Sequence, residues 1–213
     1  MSNIICSIFS SIYNGSFIPH LRGIYFSLFN KESSGKTIIY RPIRFTKKFI
    51  TLKENVSIFS NCRVEGISHY GSQNYIPSII LHSGVSVQQN CHITCAQRIE
   101  IGSNTALANN VTVTDIDHPY TDISIPIESQ DLIVKPVRIG KDCKIYNNAV
   151  ILQGTIIGDH CVVGANSVVK GIFPDFSIIV GVPARIVKRY DFTKNNGEKH
   201  LPMEYLYNLS CNV

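Results

Sequence analysis

The chain has 213 residues, of which 44% are hydrophobic and only 16% are charged, and it carries a formal net charge of +5. This length suits one substantial domain with a small appendage, and the abundant Ile and Val favour strands over helices. The basic residues are scattered, so the composition argues against nucleic-acid binding while remaining compatible with an anionic ligand.

Residues 1–30 are apolar but interrupted by Ser and Asn. They show neither a basic leader nor an uninterrupted apolar run of membrane-spanning length. We predict one or two amphipathic helices that pack on the domain, with a membrane-surface anchor as the alternative. Because no signal peptide is present, the predicted location is the cytoplasm, or the inner face of the membrane if the anchor forms.

Seven cysteines, an odd number, suit a reducing compartment. Cys91 and Cys95 lie close in sequence, but no second pair has the spacing of a zinc finger. The sequence therefore predicts no metal site.

A six-residue repeat runs through the middle of the chain. Each unit begins with Ile, Leu or Val, often has Gly or Ala second, and usually has a small or β-branched fifth residue. The units are LKENVS and IFSNCR from Leu52, LHSGVS, VQQNCH and ITCAQR from Leu81, IGSNTA, LANNVT and VTDIDH from Ile101, and IGKDCK, IYNNAV, ILQGTI, IGDHCV and VGANSV from Ile139. The fifth-position cysteines, which we interpret as small apolar core residues, are Cys62, Cys91, Cys143 and Cys161.

This period matches neither the 3.6 residues of a helix nor the alternation of a strand. It fits short flat strands joined by corners, with three units closing one triangular coil. Coils stacked about 4.8 Å apart pair their backbones and align the aliphatic residues in columns. We predict an all-β solenoid of roughly five coils over residues 46–190, between an N-terminal helical or extended segment (1–45) and a C-terminal tail (191–213).

The six-residue repeat is interrupted at three places. A slip of two residues between Ile99 and Ile101 predicts a bulged corner, and the insertion at 66–79 predicts a surface loop. The largest, residues 119–138, contains three prolines and cannot continue the ladder easily. We predict an excursion loop there, and long loops are usually functional. His118 is the last residue before it, at a corner outside the packed core.

The repeat resembles that of the hexapeptide acyltransferases, which fold as a left-handed parallel β-helix. The resemblance covers about residues 50–190 and is strongest over 135–187, which end in GVPARIV. Within that family the chain is most similar to the galactoside, maltose and nodulation-factor acetyltransferases and to the O-acetyltransferases of bacterial surface polysaccharides. The resemblance implies a homotrimer that transfers acetyl from acetyl-CoA to a sugar hydroxyl.

His118 followed by Pro119 matches the family's His-Pro at the start of the excursion loop. The resemblance implies a general base: a neutral imidazole takes the proton of the attacking hydroxyl, and histidine exchanges protons near neutral pH. A turn histidine without a role is the alternative. His82, His92 and His160 occupy outward or corner positions, where we expect solvated side chains. A zinc site like that of the γ-class carbonic anhydrases would need a second histidine shortly after His118, and none follows.

The resemblance also implies contacts to both substrates. Asn90 aligns with an asparagine that contacts the acceptor and helps hold the oxyanion, although a corner Asn in the left-handed conformation is equally consistent. Asp115 and Asp117 are candidate substrate-site residues that orient the imidazole, or else ordinary turn residues. For coenzyme A, the resemblance places backbone contacts near Asn147 and Ala165 and phosphate contacts at Lys170, Arg185 and Lys188.

Two departures from the family pattern leave the acceptor open: Lys144 stands where an aromatic residue is usual, and Tyr146 where Gly is usual. The alternatives are an amino-sugar N-acetyltransferase, a xenobiotic acetyltransferase and a structural β-helix subunit without catalysis. A serine acetyltransferase fits less well, because its long helical N-terminal domain is missing. We expect acceptor specificity to reside in the excursion loop, the insertion and the N-terminal segment.

Overall fold

The computed structural model describes residues 17–29, 36–190 and 192. Helix α1 (Phe17–Phe29) precedes a triangular prism of stacked coils. The first coil contains β1 (Ile38–Ile39), β2 (Arg44–Phe45) and β3 (Ile50–Leu52), and the second contains β4 (Ser57–Ile58), β5 (Arg63–Gly66), a hairpin of β6 (His69–Tyr70) and β7 (Gln73–Asn74), and β8 (Ser78–Leu81). The third contains β9 (Ser86–Val87), β10 (His92–Cys95) and β11 (Arg98–Ile101).

The fourth coil contains β12 (Ala106–Leu107), β13 (Thr112–Thr114), the paired strands β14 (Ile116–Asp117) and β15 (Ile133–Val134), and β16 (Val137–Ile139). The fifth contains β17 (Lys144–Ile145), β18 (Val150–Ile151) and β19 (Ile156–Ile157), and the sixth contains β20 (Val162–Val163), β21 (Val168–Val169) and β22 (Ile172–Phe173). The hairpin of β23 (Ser177–Gly181) and β24 (Ala184–Arg189) closes the end.

Each coil contributes one parallel strand to each of three faces. The first face runs β1-β4-β9-β12-β17-β20-β23, the second β2-β5-β10-β13-β18-β21 and the third β3-β8-β11-β16-β19-β22. The parallel solenoid predicted from the repeat is therefore confirmed. It has six coils rather than five, and it begins at Ile38 rather than at residue 46, because residues 38–45 pair with the second coil although they lack the repeat pattern.

The core consists of the first residues of the repeat units, stacked in register. On the second face, Val64, Ile93, Val113 and Ile151 are all fully buried. Burying an aliphatic side chain of this size stabilises the fold by about 1.5–3 kcal/mol, so each column contributes substantially. The four repeat cysteines are free and buried, as interpreted from the sequence.

Helix α1 covers the open end of the first coil. Phe26 is buried there, with its ring edge-on to Phe45 at 5.5 Å between centroids. The helix confirms part of the predicted N-terminal helical segment. The remainder of that prediction, in residues 1–16, and most of the predicted tail lie outside the described residues. Within the described ranges, no helix is long and apolar enough to cross a membrane.

Two edges of the prism matter for the site. The loop edge joins the second face to the third and contains the corners after β5, β10, β13, β18 and β21. The Asn edge joins the first face to the second. From the second coil to the sixth, its corners each hold one asparagine in the left-handed conformation, with φ between 57° and 62°: Asn61, Asn90, Asn110, Asn148 and Asn166.

Candidate active site

The insertion and the excursion loop leave the prism at the same edge. The insertion follows β5 and the excursion loop begins after β13, and both strands pair with β10 on the second face. The coil between them has only a tight corner at residues 96–97. The insertion, which forms the β6–β7 hairpin rather than an irregular loop, therefore lies two coils from the excursion loop along one edge and meets it.

Side-chain hydrogen bonds join the hairpin to the excursion loop. The Tyr70 hydroxyl donates to a carboxylate oxygen of Glu128 at 2.6 Å, and this bond raises the pKa of Tyr70. The carboxylate of Asp131 accepts the Ser72 backbone N–H at 2.9 Å and the Ser72 hydroxyl at 2.8 Å. These two bonds lower the pKa of Asp131. The two insertions thus form one structure on the loop edge.

A glycine allows the close approach of hairpin and loop. Gly71 has φ +58°, and a Cβ there would lie 2.6 Å from a carboxylate oxygen of Asp131. A larger residue would be strained in this conformation and would push the hairpin away from the loop.

His118 lies between these two insertions, one residue beyond the paired strand β14. Its side chain is exposed, and its ring packs edge-on to Tyr70, with 5.4 Å between centroids and 71° between ring planes. The position agrees with the predicted corner outside the core. An imidazole that is accessible yet held against an aromatic ring can meet a substrate hydroxyl bound between hairpin and loop.

Asp117 holds the backbone beside His118. One carboxylate oxygen accepts the His118 backbone N–H at 3.0 Å, and the other accepts the side-chain amide of Gln153 at 2.9 Å. Gln153 is buried, with only 5% of its surface exposed. The predicted contact of Asp117 with the imidazole is replaced by a contact with the main chain. Sequence reasoning missed Gln153, although it occupies the loop-edge corner of the very next coil.

The surroundings of Asp115 differ from those predicted for a substrate-site residue. It is fully buried, and its carboxylate accepts three backbone N–H groups, from Ala96, Gln97 and Arg98, each at 2.7 Å. These residues lie at the loop-edge corner of the third coil. The bulged corner predicted between Ile99 and Ile101 is wrong, because both residues lie in the regular strand β11. The backbone of the loop-edge corner leaves N–H groups that the next coil does not pair, and the Asp115 carboxylate satisfies them. Burial and the adjacent Asp115 carboxylate also raise the pKa of the Cys95 thiol.

Asn90 lies on the Asn edge and, like Asn61, stands outside the side-chain ladder formed there by the later coils. The side chains of Asn110, Asn148 and Asn166 form a ladder of hydrogen bonds, each 3.0 Å long. The Asn90 side chain is exposed and makes no hydrogen bond within the described part of the chain. Asn90 therefore has the left-handed corner conformation that the sequence analysis gave as one alternative. Its side-chain amide is nevertheless free to contact a substrate.

The remaining predicted residues are divided between edges. Asn147 and Ala165 are exposed on the Asn edge. The Asn147 carbonyl accepts the Asn166 N–H at 3.0 Å, whereas the Ala165 carbonyl, in the last coil, accepts no backbone hydrogen bond from the described residues. Arg185 is exposed beside the turn that follows β23, and Lys170 lies on the loop edge, two coils beyond His118.

One prism does not bring His118 and Asn90 together. A face about six residues wide separates their edges, on the order of 15–20 Å at the rise of an extended strand. Lys188 lies elsewhere again, beside His160 and Tyr190 in a groove at the β23–β24 end.

The other histidines have structural surroundings of their own. His82 is partly exposed, and its ring nitrogen lies 2.9 Å from a carboxylate oxygen of Glu100. His92 is exposed, and His160 occupies a left-handed corner position. Among the described residues, no group of three His, Cys, Asp or Glu side chains is placed to hold a metal ion.

The comparisons with known proteins agree with this architecture. Residues 136–171 match the family model described as bacterial transferase hexapeptide (six repeats). A protein of Mycobacterium tuberculosis named as a probable acetyltransferase is 32% identical over 179 residues, which are 82% of this chain and 59% of that protein. The galactoside O-acetyltransferase of Escherichia coli is 28% identical over 181 residues, with 80% and 82% coverage.

An Escherichia coli protein whose name assigns it to lipopolysaccharide biosynthesis as an O-acetyl transferase is 37% identical over 128 residues, or 57% of this chain and 65% of that protein. The chain thus spans less than two thirds of that protein and of the mycobacterial one. A solved N-acyltransferase of Bacillus cereus, in complex with dTDP and coenzyme A, has a TM-score of 0.64 at 18% identity and covers 87% of this chain and 95% of that one.

The fold and the matched repeats define a left-handed parallel β-helix of the hexapeptide-repeat class. Over residues 136–171 the chain carries the hexapeptide repeat of the bacterial transferases, and proteins named as acetyltransferases are among its relatives.

Proposed function

We propose that this chain is an acetyl-CoA-dependent O-acetyltransferase that acetylates a hydroxyl of a sugar or surface-polysaccharide unit, with His118 as the general base. The observation that carries the proposal is the position of His118. It is exposed at the loop edge, between two insertions that are joined to each other and held against its ring.

The chemical step needs only the imidazole and the two substrates. A ring nitrogen of His118 takes the proton of the acceptor hydroxyl while that oxygen attacks the thioester carbonyl carbon. The tetrahedral intermediate collapses, the C–S bond breaks, and the coenzyme A thiolate leaves and takes up the proton. Base catalysis of this kind contributes about 10²- to 10⁴-fold.

The Asn edge supplies groups that suit the donor and the developing negative charge. The free amide of Asn90 can donate to the oxyanion, and the open carbonyl of Ala165 can accept a hydrogen bond from the pantetheine arm. Arg185 can pair with phosphate. Because His118 lies on the other edge of the same prism, we propose a trimer in which the loop edge of one subunit faces the Asn edge of the next. The relatives' names support the acceptor class, since they include a galactoside and a lipopolysaccharide O-acetyl transferase.

Coenzyme A release, measured with a panel of neutral oligosaccharides and matched amino sugars, tests this function. We expect turnover with a neutral saccharide and a product whose acetyl group is removed by mild alkali, as an ester is. An alkali-stable product formed only from amino sugars would identify an N-acetyltransferase instead. Failure to bind coenzyme A or to turn over any acceptor would support a structural β-helix subunit.

A further inference from the structure

Helix α1 has two apolar faces. Its inner face, made of Pro19, Gly23 and Phe26, is buried against the first coil. A Cβ at Gly23 would overlap the Thr37 carbonyl group, so the helix backbone lies directly on the prism end. One face of the helix is therefore fully used by the fold.

The opposite face is apolar as well. Ile18, Leu21, Tyr25 and Leu28 follow one another at intervals of three or four residues and so share one side of the helix. Ile18 is 58% exposed, Leu21 48% and Leu28 73%. A helix on the surface of a globular protein normally presents polar residues here, whereas a helix that is apolar all round is normally enclosed. The outer face of α1 thus suits an apolar medium.

Positive charge surrounds this face. The described residues 17–29 and 36–53 contain no Asp or Glu, and their basic residues are Arg22, Lys36, Arg41, Arg44, Lys47, Lys48 and Lys53. Arg22, Arg41 and Lys47 line a groove beside the helix together with Tyr25 and Phe45.

The cations lie directly against the helix. The Lys47 ammonium group lies 4.2 Å from the centroid of the Tyr25 ring. Among the described acidic residues, Glu54 follows β3, and Glu65 is already paired with Arg44 and Arg63.

We propose that α1 and the adjoining groove bind the surface of a membrane that contains anionic phospholipid. A bilayer presents an apolar layer beneath a layer of phosphate, in the same arrangement as the apolar face and the cations beside it. The outer face would enter the headgroup boundary while Arg22, Arg41 and Lys47 contact phosphates. Residues 1–16 contain no Asp, Glu, Lys or Arg.

Cosedimentation of the full chain with vesicles tests the proposal without reference to catalysis. The vesicles are phosphatidylcholine alone, or phosphatidylcholine with about one third phosphatidylglycerol. We expect binding to the anionic vesicles to be at least about tenfold stronger, because each basic residue near such a surface adds roughly fivefold. The double variant Leu21→Ser, Leu28→Ser should lose most of this binding, and so should Arg41→Glu, Lys47→Glu.

Matched controls separate the site from general effects. Ile76→Ser removes an apolar side chain that is 90% exposed elsewhere and should leave binding unchanged. Arg138→Glu, Lys141→Glu makes the same change in net charge at β16 and the corner that follows it, and should reduce binding by much less. Equal binding to both vesicles, or no binding, would overturn the proposal. A doubled particle mass in light scattering that Leu21→Ser, Leu28→Ser abolishes, without vesicle binding, would show instead that a second copy covers this face.

Discussion

Asp115, Asp117 and His118 have different roles although they lie within four residues of sequence. Asp115 points into the prism and holds the corner of the previous coil. Asp117 holds the backbone of His118 and reaches the next coil through Gln153. His118 is exposed beside the two insertions, with its ring against Tyr70. The segment 115–118 therefore joins three consecutive coils at the point where the acceptor is proposed to bind.

Replacement of Asp115 by alanine should destabilise the protein rather than weaken acceptor binding selectively. Three backbone N–H groups would lose their acceptor, and each unsatisfied buried group costs about 1–3 kcal/mol. We expect a loss of about 3 kcal/mol or more in the free energy of unfolding, measured by urea denaturation. Asp122→Ala, at an exposed loop position, should change it by less than about 1 kcal/mol. A raised acceptor KM with unchanged stability would restore the substrate-site role.

Tyr70 should position both His118 and the excursion loop. Tyr70→Phe removes the hydrogen bond to Glu128 but keeps the ring against the imidazole, so we expect a several-fold higher acceptor KM with nearly unchanged kcat. Tyr70→Ala removes both contacts and should lower kcat as well. Steady-state kinetics at saturating acetyl-CoA separate the two parameters. Equal kinetics for Phe, Ala and the native residue would show that the ring contact has no part in catalysis.

The sequence predicted the position of His118, at a corner outside the core, because that position follows from counting repeats. The repeat count is a local property of the chain. The sequence left Asp115 and Asp117 undecided, because a β-helix corner inverts inside and outside within one or two residues. Asn90 could not be separated from the other corner asparagines either. Its free amide results from the absence of a hydrogen bond to the next coil, which no spacing in the sequence records.

At the scale of elements, the two insertions act as a unit. The hairpin β6–β7 and the excursion loop are 40 or more residues apart in sequence but share one edge of the prism, two coils apart. The sequence marked both as departures from the repeat, and counting coils shows that both follow second-face strands. Their mutual contacts, Tyr70 with Glu128 and Ser72 with Asp131, depend on side-chain geometry that the repeat does not determine.

Shortening the excursion loop should remove acceptor binding while the prism remains folded. Strands β14 and β15 already pair as a hairpin root, so residues 121–130 can be replaced by a short Gly-containing turn. We expect an acceptor KM at least about tenfold higher, equivalent to a loss of about 1.4 kcal/mol, with unchanged coenzyme A affinity by calorimetry. Unaltered kinetics with the true acceptor would show that the loop has no part in recognition.

At the scale of the whole molecule, the prism separates the candidate groups onto two edges. His118 and Lys170 share the loop edge, while Asn90, Asn147, Ala165 and Arg185 lie on or beside the Asn edge. A cyclic trimer brings unlike edges of neighbouring subunits together. With parallel prism axes it would also place three α1 helices on one end, where weak membrane contacts reinforce one another.

Mixing two inactive variants tests the shared site. One is His118→Ala, defective on the loop edge, and the other is Asn90→Ala, Arg185→Ala, defective on the Asn edge. In randomly mixed trimers, about a quarter of the sites would combine an intact loop edge with an intact Asn edge. We therefore expect recovery of up to about a quarter of the native activity. Absence of recovery in proven mixed trimers would place all these contacts within one chain.

The most direct test of the central claim is the turnover number of His118→Ala with a saccharide acceptor that the native protein acetylates. We predict a loss of at least about 10²-fold in kcat, with unchanged thermal stability and unchanged coenzyme A affinity. His160→Asn, which changes another exposed histidine to a residue that tolerates its left-handed corner, should retain native turnover. A His118→Ala protein that is folded, binds coenzyme A and keeps most of the native kcat would contradict the assignment of His118 as the base.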